Sequence, residues 1–440
     1  MLFQFGTLPD LKFISLTRRN TSARLSIVCL LAGLLCGPLA LADQRAPLTI
    51  VEAEDLALRG EPGQNELRSR AEALGEQAVA AGQLPDPTLR FGIANYPISG
   101  GGFSTEGMTQ AQLGIRQALP RGSLRSLRSR QFEAMATAQF SNADARADAV
   151  LEAARSAWLE AFYWQNVERI LSESRPLFEN LLSTTASMYE VGRKSQSDVL
   201  RAELEVLRLD DRSIEASRSR AAAQGALSEW LGSEAFRPIA NKLPDWSQLP
   251  AIDELRTNLA RHPMLDAAAA QIEARQARVG IAEEKAKPGW AVDVGYGYRN
   301  GTLSNGDPRS DFVSVSFVVD LPVNKKNRQD RDLAAALSER RAAISGKQRI
   351  AAQLNSQLNV EYRHWTDLTR RLALYETDIL ELSNTRVEAA MLAYQSDAGD
   401  FSDVMLGQID ALNTRLDFVR LQVERAQAFT VLANLGGIPR

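Results

Sequence analysis

The chain contains two copies of one sequence pattern, roughly 200 residues apart, and this duplication limits its possible folds more than any other feature. Leu119-Pro120 and Leu321-Pro322 each close a pair of alternating apolar runs. Further along, Tyr189 and Tyr394 each stand nine residues before the aspartate of a Ser-Asp-Val sequence. Landmarks in the same order over so long a period predict two copies of one large unit packed around an axis, rather than a short-period solenoid.

The first 42 residues have the parts of a secretory signal peptide. Three arginines precede an apolar run over residues 25–41, which ends in small residues just before Asp43. The run is short for a membrane anchor and is interrupted by glycine and proline. We therefore expect the mature protein to begin at Asp43. Cys29 and Cys36, the only cysteines, would be removed with the signal, and Leu35 before Cys36 disfavours a lipid anchor there.

Composition leaves little room for catalysis or nucleic-acid binding. Of the two histidines, His262 lies just before a predicted helix and His364 lies beside Trp365, which favours structural roles for both. The sequence has no phosphate-binding glycine loop, zinc spacing or nucleophile elbow. Its formal net charge of −3 argues against a nucleic-acid partner. We expect no enzyme activity, no cofactor and no metal site.

Heptad spacing of apolar residues predicts one long helical hairpin in each half. Only Pro176 interrupts residues 121–189, so this helix would reach roughly 100 Å at 1.5 Å per residue. The predicted seams of the first half are Val150, Ala157, Trp164, Leu171 and Phe178, then Leu200, Leu207, Ile214 and Ala221. Those of the second half are Leu354, Leu358, Glu361, Trp365, Leu368, Leu372, Tyr375, Ile379 and Leu382, then Ile409, Leu412, Leu416, Val419, Val423 and Ala426.

Turn and capping residues mark the tip of each hairpin. Gly192, three residues after Tyr189, is suited to a left-handed helix end, and Ser195 and Asp198 have the spacing of a capping box. The corresponding residues of the second half are Gly399, Asp400 and Asp403, with Gly399 five residues after Tyr394. Helix capping alone would explain the aspartates, and the alternative is a charged ring at a channel opening.

A strand pair precedes each hairpin. Val294, Tyr296, Val315 and Phe317 alternate with polar or small residues such as Ser316, which predicts strands with one apolar face. Their length of about ten residues suits a tilted membrane crossing, with the apolar face toward lipid, although a small soluble β-subdomain is the alternative. Four strands cannot close a barrel and a bilayer forbids open edges, so crossing would require further subunits, and three copies would supply twelve strands.

Three short motifs resemble the TolC-like outer-membrane efflux proteins, in an order that covers essentially the whole mature sequence. They are Ala81-Gly82-Gln83-Leu84-Pro85-Asp86-Pro87 before the first strand, Tyr189-Glu190-Val191-Gly192 with Ser197-Asp198-Val199-Leu200 at the first tip, and His262-Pro263-Met264-Leu265 at a second-half helix start. The resemblance implies a mainly α protein with a small β part. Three subunits would form a 12-stranded outer-membrane β-barrel continued by a periplasmic α-helical barrel.

The resemblance also implies partners and a role. A homotrimer in the lipid of a Gram-negative outer membrane would meet a periplasmic adaptor and an inner-membrane pump of the resistance-nodulation-division type. The Leu-Pro-Asp-Pro entry is most similar to members serving heavy-metal cation pumps, and the alternatives are multidrug or small-molecule efflux, type I secretion, an adaptor or a periplasmic enzyme. Candidate channel-mouth or adaptor-contact residues are Tyr189, Gly192, Arg193, Ser195, Asp198, Tyr394, Gly399, Asp400 and Asp403.

The expected organisation is a signal peptide over residues 1–42 and two structural repeats. The first spans 43–245, with strands at about 88–95 and 109–118 and a hairpin tip near 192. The second spans 246–440, with strands at about 290–298 and 311–320 and a tip near 399. Residues 237–250, which join the repeats, would correspond to the family's equatorial belt.

Overall fold

A computed structural model describes residues 46–438, so the predicted signal peptide lies outside the described residues. The first half contains α1 (Ile50–Leu58), α2 (Pro62–Ala81), β1 (Thr88–Ala94), β2 (Gln110–Leu119), α3 (Leu124–Glu190) and α4 (Gln196–Leu231). The second half contains α5 (Ile252–Leu259), α6 (Pro263–Glu284), β3 (Gly289–Tyr298), β4 (Phe312–Asp320), α7 (Gln329–Leu374), α8 (Leu380–Gln395) and α9 (Phe401–Gly436). This order confirms the predicted duplication of a strand pair followed by a long helical hairpin. None of the helices within residues 46–438 is long and apolar enough to cross a membrane.

Apart from the short helices α1 and α5, the elements form three layers of four positions. Each layer places two first-half elements beside two second-half elements. The sheet has the order β1-β2-β3-β4 and is antiparallel throughout. The helical layer next to it has the order α2, α3, α6, α7. The farther helical layer has the order α4, α3, α9, and then α7 with α8. Each layer therefore ends in one element from each half.

Helix α3 runs through both helical layers without a break. It has 67 residues, contains no glycine, and continues through Pro176. At 1.5 Å per residue it is roughly 100 Å long. A helix of that length cannot bury one face in a compact core, so its neighbours change along its length, from α2 and α6 to α4 and α9.

A π-helical turn joins α7 to α8 and changes which residues are buried. The turn covers Tyr375–Ile379, so α7 and α8 form one continuous helix. Before the turn, Leu358 and Leu372 are buried as the heptad spacing predicted. After it, Leu382 is 67% exposed, and the prediction that this residue lies in the seam is wrong. A π-turn holds more residues than an α-turn, so the heptad count shifts at this point.

Helix α4 packs through a different stripe from the one predicted. The predicted seam residues Leu200, Leu207 and Ile214 are 57%, 59% and 71% exposed. The buried stripe is Ala202, Leu209, Ala216 and Ala223. Mostly alanine, this stripe lets α4 approach α3 closely, while the larger side chains face outward. The heptad of large apolar residues is therefore present, but on the opposite side of the helix from the protomer core.

The segment that joins the two halves packs across the middle of the molecule. Leu48 pairs with Ile239 in a parallel bridge, and the fully buried Trp158 of α3 donates its indole N–H to the Leu48 carbonyl at 3.0 Å. Trp246 stacks on Phe429 of α9, with ring centroids 4.8 Å apart. These contacts tie the connection to both hairpins at mid-length, where a belt around the helices was expected.

Candidate functional site

One face of the sheet consists of large apolar side chains, and this face is exposed. Phe91, Leu113, Tyr296 and Val313 form one cross-strand row. The neighbouring row is Leu89, Ile115, Val294 and Val315. Exposure in the two rows ranges from 46% at Tyr296 to 80% at Phe91. A contiguous apolar surface of this kind marks contact with lipid or another protein.

The opposite face of the sheet is polar. Arg116 lies opposite Asp293 in the register, with 4.0 Å between guanidinium and carboxylate, and Asp293 lies opposite Ser316. Because side chains alternate between faces, Val315 and Phe317 lie on the apolar face and Ser316 lies on the polar one. The alternation thus separates these residues as the sequence predicted.

The first hairpin tip has a left-handed turn at glycine. Gly192 has φ of +73°, its N–H donates to the Tyr189 carbonyl at 2.9 Å, and the Arg193 N–H donates to the Met188 carbonyl at 2.9 Å. A side chain at Gly192 would meet nothing within 4 Å. Backbone conformation rather than space therefore requires glycine here.

Ser195 and Asp198 form the predicted capping box at the start of α4. The Asp198 N–H donates to the Ser195 hydroxyl at 3.3 Å, and the Asp198 carboxylate accepts from the Ser195 N–H at 3.3 Å. The Ser195 hydroxyl also lies 2.9 Å from the same carboxylate. Asp198 is therefore used, at least in part, to satisfy the helix start.

The second tip makes the same turn with a different residue. Asp397, not Gly399, has the positive φ, at +60°. Its N–H donates to the Tyr394 carbonyl at 3.2 Å, and the Ala398 N–H donates to the Ala393 carbonyl at 2.9 Å. Asp397 thus stands three residues after Tyr394, as Gly192 does after Tyr189. The prediction of Gly399 as the left-handed residue is wrong. The turn forms three residues after the tyrosine in both tips, and aspartate can adopt the left-handed conformation at that position.

The predicted capping box of the second tip is not formed. Asp400 occupies the N-cap position of α9 with extended backbone, but its side chain accepts no capping bond from the described residues. The Asp403 N–H donates instead to the Asp400 backbone carbonyl at 3.1 Å. The Asp403 side chain is exposed and enters no ion pair among residues 46–438. Its charge is therefore available in a way that the charge of Asp198 is not.

A cation from the first tip contacts the second. Lys194 lies 3.2 Å from the Asp397 carboxylate and 4.5 Å from the centroid of the Tyr394 ring. Tyr394 is fully buried and packs edge-on against Phe401, so it lies in the interior and not on the contact surface where we expected it. Tyr189, by contrast, is 45% exposed. Arg193, Gly192 and Asp400 are exposed, whereas Gly399 is half-buried.

Apolar stripes also lie exposed on the helices that end the farther layer. On α4 the stripe is Leu200, Leu204, Leu207 and Ile214, between 46% and 71% exposed. On the continuous helix of α7 and α8 it is Val360, Leu374, Leu382 and Leu392, between 52% and 67% exposed. These stripes are comparable in side-chain type, and they lie at opposite ends of the same layer. Sequence reasoning found the α4 stripe but assigned it to the wrong contact.

His262 has the structural role that its position suggested. It is buried at the N-cap of α6, where its Nδ1 accepts from the Met264 N–H at 3.2 Å. Burial lowers the pKa of the imidazole below its ordinary value, which favours the neutral form that this bond requires. Within residues 46–438, no cluster of three or more histidine, cysteine, aspartate or glutamate side chains is arranged to hold a metal ion.

Known proteins share this architecture. The outer membrane protein VceC of Vibrio cholerae matches with a TM-score of 0.73 at 15% identity, over 88% of this chain and 96% of VceC. The CmeC outer membrane channel of Campylobacter jejuni matches with a TM-score of 0.72 at 12% identity, over 88% of this chain and 85% of CmeC. This chain has the fold of these outer-membrane proteins. Because the match spans most of the chain, the fold is shared by both repeats together.

A relative is also found at the level of sequence. Protein CyaE of Bordetella pertussis is 25% identical over 428 residues, which covers 91% of this chain and 86% of CyaE. No protein-family model matches the chain.

Proposed function

We propose that this protein is the outer-membrane channel of a tripartite efflux system and works as a homotrimer. It would provide a passive exit for substrate delivered by an inner-membrane pump of the resistance-nodulation-division type through a periplasmic adaptor. The similarity of the fold to outer-membrane channels supports this role. No chemical step is assigned to this chain.

The observation that carries the proposal is that the sheet and the farther helical layer each end in surfaces that need a partner. In the sheet, β1 and β4 each have a neighbour on one side only within residues 46–438. In the farther helical layer, α4 and α7–α8 each expose a stripe of large apolar side chains. The two ends of a layer come from different halves of the chain. One end of a layer in one copy can therefore pack against the opposite end of the same layer in a second copy.

Contacts of this head-to-tail kind form a ring when the rotation closes. A closed ring leaves no strand edge open to lipid. It also buries the apolar stripes, at about 1.5–3 kcal/mol for each large side chain fully removed from water. The resembled family closes with three copies, which here would give a barrel of twelve strands continued by a helical barrel.

The orientation follows from the two ends of the protomer. The sheet, with its apolar face outward, would lie in the outer membrane, and the helical layers would extend into the periplasm. The hairpin tips would then form the periplasmic mouth. One tip would contribute Tyr189, Gly192, Arg193 and Ser195, and the other would contribute Asp400 and Asp403. We assign these residues to adaptor contact or to the aperture.

The cargo that we favour is heavy-metal cations, with drugs or other small molecules as the competing class. The specific observation is that Asp400 and Asp403 of the second tip are exposed and form no ion pair within residues 46–438, whereas Asp397 is paired with Lys194. Three subunits would place these acids around the opening, where they attract cations. Carboxylates at this density would pass cations and not select one metal, so choice of cargo belongs to the pump.

The trimer is tested at the outward stripe of α4. Leu207→Glu and Ile214→Glu place a charge in the proposed interface, and Ser213→Glu adds the same charge beside the stripe. Native mass spectrometry in detergent should show mainly monomers for the first two variants and trimers for the third. Trimers of normal yield in all three variants, or a wild-type protein that is monomeric without detergent, would contradict the proposal.

A further inference from the structure

A cavity of about 720 Å³ lies where the sheet meets the long helices. Its walls come from the ends of β2 and β4 and from the starts of β3, α3 and α7. These are the strand ends that lead into the helical layers. The charged residues that line it are four cations and two carboxylates, namely Arg121, Arg128, Lys285, Arg328, Asp320 and Asp332.

The positive charge in this cavity is not balanced by the residues that the structure describes. Arg121 lies 3.4 Å from the Asp320 carboxylate and donates to the Lys285 carbonyl at 2.8 Å. The side chains of Arg128, Lys285 and Arg328 form no ion pair with any described residue. An anion is therefore the missing counter-charge, because unpaired cations gathered at one site favour a ligand of opposite sign.

One residue that lines the cavity also has a side-chain polar atom without a partner among the described residues. The side-chain oxygen of Gln329 is buried and accepts no hydrogen bond from the described residues. Buried polar atoms are normally satisfied, so an orphaned one points to a bound group. A ligand with an anionic centre would supply the counter-charge for the unpaired basic side chains that line the cavity.

The cavity opens onto the apolar face of the sheet. Leu119, Trp290 and Val319 form the last cross-strand row of that face, and Leu119 and Trp290 line the cavity. Beyond this row, Leu321 and Val323 are 67% and 90% exposed. Tryptophan is enriched where a membrane protein crosses from hydrocarbon to headgroups. Apolar side chains thus continue from the cations toward the proposed lipid surface.

We propose that this cavity binds the headgroup of an anionic phospholipid of the periplasmic leaflet. The inference rests on the proposed function, which places the apolar face of the sheet in the outer membrane. The phosphate would lie among Arg128, Lys285 and Arg328, and the acyl chains would lie along Trp290 and Val323. Such a lipid would fix the height of the channel in the membrane at the junction of sheet and helices.

The test compares two cations that line the cavity, Arg128 and Arg328, with two that do not, Lys325 and Lys326. The full-length protein is reconstituted in nanodiscs of phosphatidylcholine containing one-fifth phosphatidylglycerol, and lipids retained by the released protein are counted by native mass spectrometry. Wild-type protein should retain phosphatidylglycerol in preference to phosphatidylcholine. Arg128→Gln with Arg328→Gln should lower that retention by roughly tenfold or more, since each basic residue near an anionic headgroup contributes substantially to binding.

Lys325→Gln with Lys326→Gln is the matched control, because it removes the same charge from the neighbouring turn without altering the cavity wall. This variant should retain phosphatidylglycerol as the wild type does. Equal losses in both double variants would overturn the site in favour of diffuse surface attraction, and equal retention of the two lipids by the wild type would overturn it outright. The same spectra report subunit number, so a missing lipid site on an intact trimer is distinguished from failure of the trimer itself.

Discussion

The two ends of this molecule expose opposite kinds of surface. At the sheet end, Phe91 and Phe317 are 80% and 69% exposed within rows of other apolar side chains. At the hairpin tips, the exposed residues are mainly charged or polar, such as Arg193, Asp400 and Asp403. The sheet end is stable only if its apolar face is removed from water, whereas the tips can stay in water and bind a partner by charge and turn geometry.

The apolar and polar faces of the sheet should differ in their tolerance of arginine. This difference in stability is the largest effect that we expect. Phe317→Arg places a charge on the apolar face and should cost roughly 2–4 kcal/mol near the bilayer midplane. Ser316→Arg, one residue away on the polar face, should be far better tolerated. The measurement is the yield of trimer in the outer-membrane fraction and its denaturant midpoint in detergent micelles. Equal losses at the two positions would contradict the assignment of the two faces to lipid and to lumen.

Sequence alone was sufficient for the sheet because a period of two leaves no ambiguity about faces. Once Val294 and Tyr296 are assigned to one face, Asp293 and Gly295 must lie on the other. The long helices were harder, since one heptad pattern is compatible with two sides of a helix. On α4 the alanine stripe through Ala202 and Leu209 packs inward, and the larger stripe through Leu207 remains outside. The hydrophobicity of the side chains alone did not reveal which of the two stripes packs against α3 of the same chain.

The two hairpin tips require glycine for different reasons, and substitutions of the glycines test this difference. Gly192 is needed for its positive φ, whereas a Cβ at Gly399 would lie 2.9 Å from the Ala393 Cβ. Alanine at Gly192 should cost about 1–2 kcal/mol because of the left-handed backbone. Asparagine should recover much of that loss at 192, since asparagine tolerates this conformation, but not at 399, where any side chain makes the close contact.

Thermal unfolding of the four variants in detergent measures this contrast. The matched pairs are Gly192→Ala with Gly192→Asn, and Gly399→Ala with Gly399→Asn. Rescue by asparagine at both positions would mean that Gly399 also requires a left-handed backbone. No loss on alanine substitution at either position would mean that the tips are not held in these turns.

The second tip could not be predicted from sequence, because two residues competed for one role. Glycine is the usual left-handed residue, so Gly399 attracted the prediction, while the geometry places Asp397 at that position. The position relative to the preceding tyrosine carried the signal, since Asp397 follows Tyr394 by the interval that separates Gly192 from Tyr189. Lys194 then gives Asp397 a partner that glycine could not have, at 3.2 Å. Capping and turn preferences depend on neighbouring residues, so they cannot predict a contact between two tips about 200 residues apart in sequence.

The smallest expected effects separate helix capping from charge at the mouth. Asp198→Ala removes the capping box of α4 and should lower stability by about 0.3–1.5 kcal/mol. Asp403→Asn should change stability by only about 0.3 kcal/mol, because the Asp403 side chain caps nothing within the described residues and its charge acts only through the helix dipole. In planar bilayers the order should reverse: Asp403→Asn should reduce the preference for cations, measured as a reversal potential across a salt gradient.

Low salt is needed for that last measurement, since charges in a water-filled opening are screened over about 10 Å at 0.1 M but over about 30 Å at 0.01 M. A shift of the Asp403→Asn reversal potential that grows as salt is lowered would place this carboxylate at the aperture, because only a charge near the ion path acts through the screened field. A reversal potential that matches the wild type at 0.01 M salt would put Asp403 outside the aperture. The acids of the second tip would then be left with adaptor contact alone, and the case for cations as cargo would lose its structural support.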